Sequence, residues 1–381
     1  MAKVDPWNVE GNVNYDDLIK DFGVKKISPE LKKKLESISK SKGVELHHLI
    51  RRDVFFVHRD LDKLLKDFEK GQKFFLYTGR SPSGKIHLGH MFIWYFTKWL
   101  QDLFDVELYF QFPDEEKFLF KKNLSYEEVQ KNLEDNMKDV AAIGFNPEKT
   151  FFIINTRHAD ILYPEAVKVA KKITFSNVKS AFGLTDSSNI GSIFYTSMQA
   201  VPAFLPSVGK EKKLNCLIPH AVDQDPHFRI TRDVIEKVGY PKPASIQCKF
   251  LPGLRGFEED SKMSSSKESS SIYMSDTPNE IKKKINKYAF SGGRETLEEH
   301  RKYGGNPDID VCYNWLLFFE EDDKVLEKVY KDYKTGKLLS GELKNILIEK
   351  LTKIVIKHQE DRKKLKDLKK YLRKEKFFKK G

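Results

Sequence analysis

The sequence predicts an α/β fold: a doubly wound, Rossmann-like parallel sheet, preceded by a mostly helical N-terminal extension and followed by an all-α C-terminal domain. Three observations carry this. Short β-prone apolar runs alternate with stretches of helical spacing over residues 71–275. A Gly-rich turn joins the first run to its helix, and a strand–turn–helix–strand unit implies parallel pairing. From Asp276 onward the signals are almost wholly helical. A length of 381 residues fits two or three domains. With 39% hydrophobic and 33% charged residues, a wholly disordered or low-complexity chain is excluded.

Residues 1–70 are polar and helix-prone over 27–42 and 60–69, with a strand candidate at 54–57. They read as an extension or subdomain. At residues 73–78 the pattern becomes a buried strand, and Gly79-Arg-Ser-Pro-Ser-Gly84 is the turn after it. A helix is predicted over 87–104 and a second strand over 106–112. Helices over 126–143, 164–175 and 228–238 then alternate with strands over 150–155, 214–219 and 245–250. In such a sheet, ligands sit at the carboxyl ends of the strands. The segment 276–381 is predicted as helices over 278–289, 310–319, 323–332 and 341–372, without internal repeats.

Composition excludes several classes. No apolar run approaches the roughly 18 residues of a membrane span; the longest covers 91–96. The first residues show neither a signal-peptide core nor an Arg-rich transit helix. Cys216, Cys248 and Cys312 are odd in number and far apart, which argues against a disulfide framework or a Cys-based zinc site and suits a reducing cytosol. The net charge is +12, and residues 353–381 hold 13 Lys/Arg against 4 Asp/Glu, or +9. That run is either a solvated helical face or tail, or a contact for a polyanion; charge alone does not decide.

Two local patterns carry chemistry. In Pro82-Ser-Gly-Lys-Ile-His-Leu-Gly-His90, His87 and His90 share one face of a helix's first turn. The helix N-terminus suits a phosphate, and Gly89 leaves room for a flat ring against the backbone. A metal pair or an ordinary helix start would show the same spacing. In Lys262-Met-Ser-Ser-Ser-Lys267, the Ser and charge content reads as a loop. It is either a solvated linker or a lid that brings the Lys262 ammonium onto phosphate oxygens.

Taken together, an H-x-G-H at a strand-to-helix turn, a K-M-S-S-S loop after the last strand and a following helical domain resemble the class I aminoacyl-tRNA synthetases. The loop departs from that family's commonest form, because Ser265 stands where a second lysine is usual. The chain is similar to the smallest subgroup, which handles tyrosine and tryptophan and lacks the large editing domains. The blocks 76–82, 111–117, 199–203, 221–226 and 289–294 look like the eukaryotic cytosolic tryptophanyl-tRNA synthetases. The resemblance runs over about 73–359 and shows no appended helix-turn-helix domain of the kind many animal members carry.

The resemblance implies a tryptophan–tRNA ligase acting on tryptophan, ATP and tRNA(Trp) in the cytoplasm. Magnesium would travel with ATP, and no protein-bound metal is expected. It implies a homodimer joined through about 119–197, no membrane contact, and an anticodon-binding domain over 276–381. Implied ATP contacts are Thr78, Gly79, Arg80, His87, Gly89, His90, His220, Ala221, Lys262, Met263, Ser264 and Ser265; Arg80 lies near ATP or the 3′ end of tRNA. His87, His90, Lys262, Ser264 and Lys117 are the implied catalytic set. Tryptophan would contact Tyr77, Gln111, Glu116, Tyr195, Gln199 and Gln224. The indole N–H only donates, and Tyr77 Oη and the Gln111 carbonyl both accept. Without the resemblance, Gln111 and Gln199 read equally as buried amides and Tyr77 as core. A tyrosine enzyme, a small-molecule nucleotidylyltransferase and a synthetase-derived RNA-binding protein remain alternatives. Truncation before Lys353 is expected to spare pyrophosphate exchange and to weaken tRNA charging.

Overall fold

A computed structural model describes residues 3–4, 9–10, 15–121, 123–256, 263 and 268–378. Among the described residues nine strands occur in chain order: β1 (Lys3–Val4), β2 (Val9–Glu10), β3 (Lys25–Lys26), β4 (Phe55–Arg59), β5 (Phe74–Gly79), β6 (Leu108–Phe112), β7 (Thr150–Ile154), β8 (Asn215–Ala221) and β9 (Ala244–Cys248). The first two form a separate ribbon. The others form one seven-stranded sheet in the order β3-β4-β9-β8-β5-β6-β7. The run β9-β8-β5-β6-β7 is parallel throughout, as the five apolar runs predict. Its strands are buried on both faces, which is why they read as continuous apolar runs rather than alternating ones.

Residues 25–26 and 55–59 join this sheet. β3 pairs with β4, and β4 pairs with β9, both antiparallel. Arg59 grips the buried carboxylate of Asp225 with two nitrogens, at 3.0 and 2.8 Å. Arg51 and Arg52 reach Asp323 in the helical region at 2.8 and 2.6 Å. This segment therefore bridges the sheet to the C-terminal helices.

Most predicted helices form within a few residues of their expected bounds. The helix expected over 164–175 instead spans Ala159–Ala170, with Pro164 inside it. A proline one turn from a helix start removes a single N–H, which would have bonded to Asp160, so the helix continues through it. Helices at Phe175–Phe182 and Ile190–Ala200 follow.

The larger correction concerns the C-terminus. The helix expected over 341–372 ends at Lys363. Leu365, Leu368 and Leu372 keep helical spacing in sequence, but they turn back onto the main core as an irregular segment. Tyr371 stacks on Phe152 of β7, ring centroids 4.5 Å apart, and its hydroxyl donates to the Phe145 carbonyl at 3.1 Å. Phe377 lies against Tyr109 and Phe151. Many basic groups of the run are engaged by carboxylates: Arg362 with Asp135 and Asp139, Arg373 and Lys376 with Glu148, Lys374 with Asp160. The tail is a strap across the β7 edge, so a truncation before Lys353 would remove packing on β7 as well as charge. A groove of about 900 Å³ runs beside it, lined by Lys138, Arg157, Lys363, Lys366 and Lys369 among others.

Candidate active site

The site lies at the carboxyl ends of β5, β6 and β8, where the order of the parallel strands reverses around β5. Strand β5 ends in Gly79, where a side chain would put its Cβ 2.7 Å from the Gln111 carbonyl oxygen. That close approach lets the Arg80 N–H donate to the same oxygen at 2.8 Å. On the other flank the Thr78 hydroxyl donates to the Pro219 carbonyl of β8 at 3.3 Å. The three strand ends are thus stitched into one rigid floor.

His87 caps the helix Leu88–Phe104 in extended conformation. Its ring stacks on that of His90, centroids 3.7 Å apart, and its N–H donates to His90 Nδ1 at 3.3 Å. A Cβ at Gly89 would lie 3.0 Å from the His87 imidazole, so the glycine clears this corner. Ile86 to Leu88 are also tied to a distant part of the chain. The Leu88 N–H donates to the Ile272 carbonyl at 3.1 Å, the Met274 N–H donates to the Ile86 carbonyl at 2.9 Å, and His87 pairs with Tyr273 as an antiparallel bridge. Met263 is buried, and its Cβ lies 3.6 Å from where a Gly89 Cβ would sit. Lys262, Ser264 and Ser265 lie outside the described residues. Of that pattern only Met263 is described, and it and the strand-like pairing of Ile272 to Met274 adjoin the His87 corner.

A cationic corner adjoins this floor. Burial draws the Arg80 guanidinium down to about 10, against the opposing pull of Glu116. Its Nε and Nη2 are buried without a hydrogen-bond partner among the described residues, which suits an incoming oxyanion. Lys121, which sequence reading passed over, is lowered by burial and then by Lys117 and Arg80. Lys117 itself donates to Glu116 at 3.0 Å. Burial pushes the Glu116 carboxyl upward, but the charge of Lys117 and hydrogen bonds from Lys117 and Ser81 prevail and hold it below its usual value. It is therefore an anion at neutral pH, suited to an ammonium group.

Beside it lies a polar chain in an apolar wall. Gln111 is fully buried and Tyr77 is 1% exposed. The Tyr77 hydroxyl donates to Gln111 Oε1 at 2.6 Å and accepts from Gln199 Nε2 at 3.0 Å. Tyr195 donates to Gln199 Oε1 at 2.5 Å. Phe228 stands edge-on to Tyr77, and His220 packs on Phe228 while its Nδ1 lies 2.8 Å from the Ala221 carbonyl. Gln224 ends the short turn after β8 and is half-buried. His227 was also missed; burial draws its imidazole down to about 4, so it is neutral beside Tyr195 and Phe182. Neither His227 nor Lys121 belongs to a local pattern, so only the tertiary contacts reveal them. Among the described residues no group of three His, Cys, Asp or Glu could hold a metal ion, and no helix is long and apolar enough to cross a membrane.

Comparison with known proteins agrees with this geometry. The profile of tRNA synthetases class I (W and Y) matches residues 69–355. A tryptophan–tRNA ligase of Sulfurisphaera tokodaii is 50% identical over 366 residues, covering 96% of this chain and 93% of that protein. The cytoplasmic tryptophan–tRNA ligase of Schizosaccharomyces pombe is 46% identical, covering 95% and 94%. The crystal structure of the Plasmodium falciparum tryptophanyl-tRNA synthetase superposes with a TM-score of 0.89 at 42% identity, covering 97% of this chain and 100% of that one. The likeness therefore extends beyond the eukaryotic cytosolic group to archaeal enzymes. The chain belongs to the class I tRNA synthetases of the tryptophan and tyrosine group, and within them it is an enzyme of the tryptophan–tRNA ligase family.

Proposed function

We propose the following division of labour among the residues. The tryptophan carboxylate, ionised at neutral pH, needs no general base. It attacks the α-phosphorus of ATP in line, the bond to the bridging oxygen breaks, and pyrophosphate leaves. Catalysis is then positioning and charge neutralisation. Tyr77 Oη and Gln111 Oε1 accept the indole N–H, Tyr195 walls the ring, and Glu116 with Gln199 and Gln224 takes the ammonium. Thr78, Gly79, Gly89, His220 and Ala221 hold the adenosine; Arg80, His87, His90, Lys117, Lys262, Met263, Ser264 and Ser265 surround the phosphates. Magnesium arrives with ATP, whose phosphates supply oxygen ligands to it. The tryptophanyl group then passes to a terminal ribose hydroxyl of tRNA(Trp).

One observation carries this reading: Ile272 to Met274 pair with Ile86 to Leu88, and Met263 sits against Gly89. That contact supports a reading in which the two sequence patterns serve one phosphate site. The deciding measurement is pyrophosphate exchange with each amino acid. Exchange with tryptophan and none with tyrosine is expected; the reverse would assign the chain to the tyrosine enzymes. Lys262→Ala is expected to lower kcat for adenylate formation far more than it weakens tryptophan binding, and equal losses in both would remove the lid role.

Beyond the site, residues 276–381 are proposed to read the anticodon and 71–275 to hold the chemistry. The stretch 119–197 is proposed as the homodimer face. Its support is apolar exposure, with Tyr163 57% and Ile190 84% exposed. The groove lined by Lys363, Lys366 and Lys369 is proposed to carry tRNA phosphates. A cytoplasmic relative supports a cytoplasmic setting.

A further inference from the structure

An indole N–H needs acceptors, and a buried glutamine offers one acceptor and two donors on the same amide. The Gln111 amide, lying flat at the end of β6, would fit its slot in either orientation by shape alone. What breaks the symmetry is a directional chain leading away from the pocket. Gln111 Nε2 donates to Asn155 Oδ1 at 2.9 Å, and Asn155 Nδ2 donates to Glu115 Oε1 at 2.7 Å. An ionised carboxylate only accepts. Facing Glu115, Asn155 must therefore present its NH₂ outward and its carbonyl to Gln111. Gln111 must then turn its NH₂ to Asn155 and its carbonyl toward Tyr77.

We infer that Asn155 and Glu115 are positioning residues that set the polarity of the Gln111 amide, so that the pocket offers oxygen acceptors, and not amide donors, to the ring of the amino acid. Asn155 is 1% exposed, so no solvent competes for its amide. The Thr156 N–H and hydroxyl both bond the buried Asp114 carboxylate, at 3.0 and 2.5 Å, which fixes the turn that carries Asn155. Glu115 Oε2 is buried and takes no hydrogen bond among the described residues. Burial raises this carboxyl to about 7. A proton settling on Oε2 leaves Oε1 an acceptor, so the chain's direction survives either protonation state. The polarity also reaches the far side. The Tyr77 hydroxyl has two acceptors within reach, Gln111 Oε1 at 2.6 Å and the Gln199 carbonyl at 3.1 Å; with its proton on the nearer one and one lone pair taken by Gln199 Nε2, its oxygen keeps one lone pair for the substrate.

This rests on the proposal that Gln111 and Tyr77 receive the indole N–H, and the test separates the two ideas. Pyrophosphate exchange is measured with tryptophan and with its analogue carrying sulfur in place of the ring N–H. Asn155→Leu and Glu115→Met, which break the chain at two links, are each expected to raise KM for tryptophan roughly tenfold, the scale of one lost hydrogen bond of about 1.4 kcal/mol. KM for the sulfur analogue and kcat should move little. Asn155→Asp, which still accepts from Gln111, should keep most of the preference. Should either of the first two variants fail to fold, the other carries the test. If both substrates suffer alike, or if the preference is unchanged while Gln111→Ala abolishes it, the positioning role is overturned. If Gln111→Ala itself leaves the preference intact, the indole assignment falls and takes the inference with it.

Discussion

The turn at Pro82–His90 and the basic run at 353–381 are the two most conspicuous patterns in the sequence, and they behave in opposite ways in the fold. The turn keeps its groups at the site: His87 and His90 stack at the helix start, and Gly89 is hemmed by the His87 ring. The run pairs much of its charge with carboxylates of the same molecule, at the surface. Arg362, Arg373, Lys374 and Lys376 neutralise carboxylates on the catalytic side, and Tyr371 and Phe377 are buried there. A motif defined by spacing survives folding because a helix preserves spacing. A motif defined by net charge does not, because partners far along the chain decide how much of that charge faces solvent.

The comparison is broken most directly by removing the strap. Deleting residues 364–381 exposes the β7 edge and removes Tyr371 from Phe152 and Phe377 from Phe151. Phe377→Ala is expected to cost about 3 kcal/mol of stability, the usual scale for an emptied aromatic site, and the full deletion more. Pyrophosphate exchange should fall with the folded fraction, and thermal unfolding should show a lowered Tm. A deletion variant with full exchange activity and unchanged Tm would return the tail to the status of a solvated appendage.

The five parallel strands stand out in the sequence because each is a short apolar run with a turn beside it, and that pattern is local. The sequence reading misses β3 because two lysines carry no apolar pattern; pairing with β4 defines that strand. It misplaces the end of the long helix because Leu365, Leu368 and Leu372 are spaced for a helix while Tyr371 is drawn to Phe152. In the site, Tyr77, Gln111, Gln199 and Tyr195 come together as the family resemblance implies, yet Asn155, Glu115, Lys121 and His227 go unremarked. Each of these acts through a neighbour distant in sequence, and nothing in a single polar residue announces that neighbour. Asp225 illustrates the same point: the helix expected over 228–238 begins at Asp225, and the partners of its buried carboxylate, Arg59 and Gln247, are distant in sequence.

A smaller effect tests what charge the run still offers to RNA. Lys363, Lys366 and Lys369 are exposed and line the groove with Lys138 and Arg157. Replacing all three by Ala should leave Tm and pyrophosphate exchange near their starting values. The slope of log K for tRNA binding against log salt should shrink by about 2, since each neutralised phosphate contributes roughly 0.7 to 0.9. Binding measured across a salt series checks this; an unchanged slope assigns the groove no phosphate contact.

The smallest effect should come from the strap's own ion pairs. Hydrogen bonds from Lys376 and then Arg373 hold the Glu148 carboxyl down to about 2. A carboxyl depressed in the folded state stabilises it above the ordinary carboxylate range, and that stabilisation fades as pH falls toward the folded value. The group is on the surface, though, where water and salt screen such pairs. Glu148→Gln should therefore lower Tm only slightly at neutral pH and low salt, and the difference should vanish in 1 M salt, where the screening length is about 3 Å. It should also vanish as pH drops toward 2. Phe377→Ala, by contrast, should keep its penalty in high salt, because apolar burial is not screened. If Glu148→Gln proved as damaging as Phe377→Ala, and stayed so in salt, the strap would be held by its charges, and the contrast between a spacing motif and a charge motif would have to be redrawn.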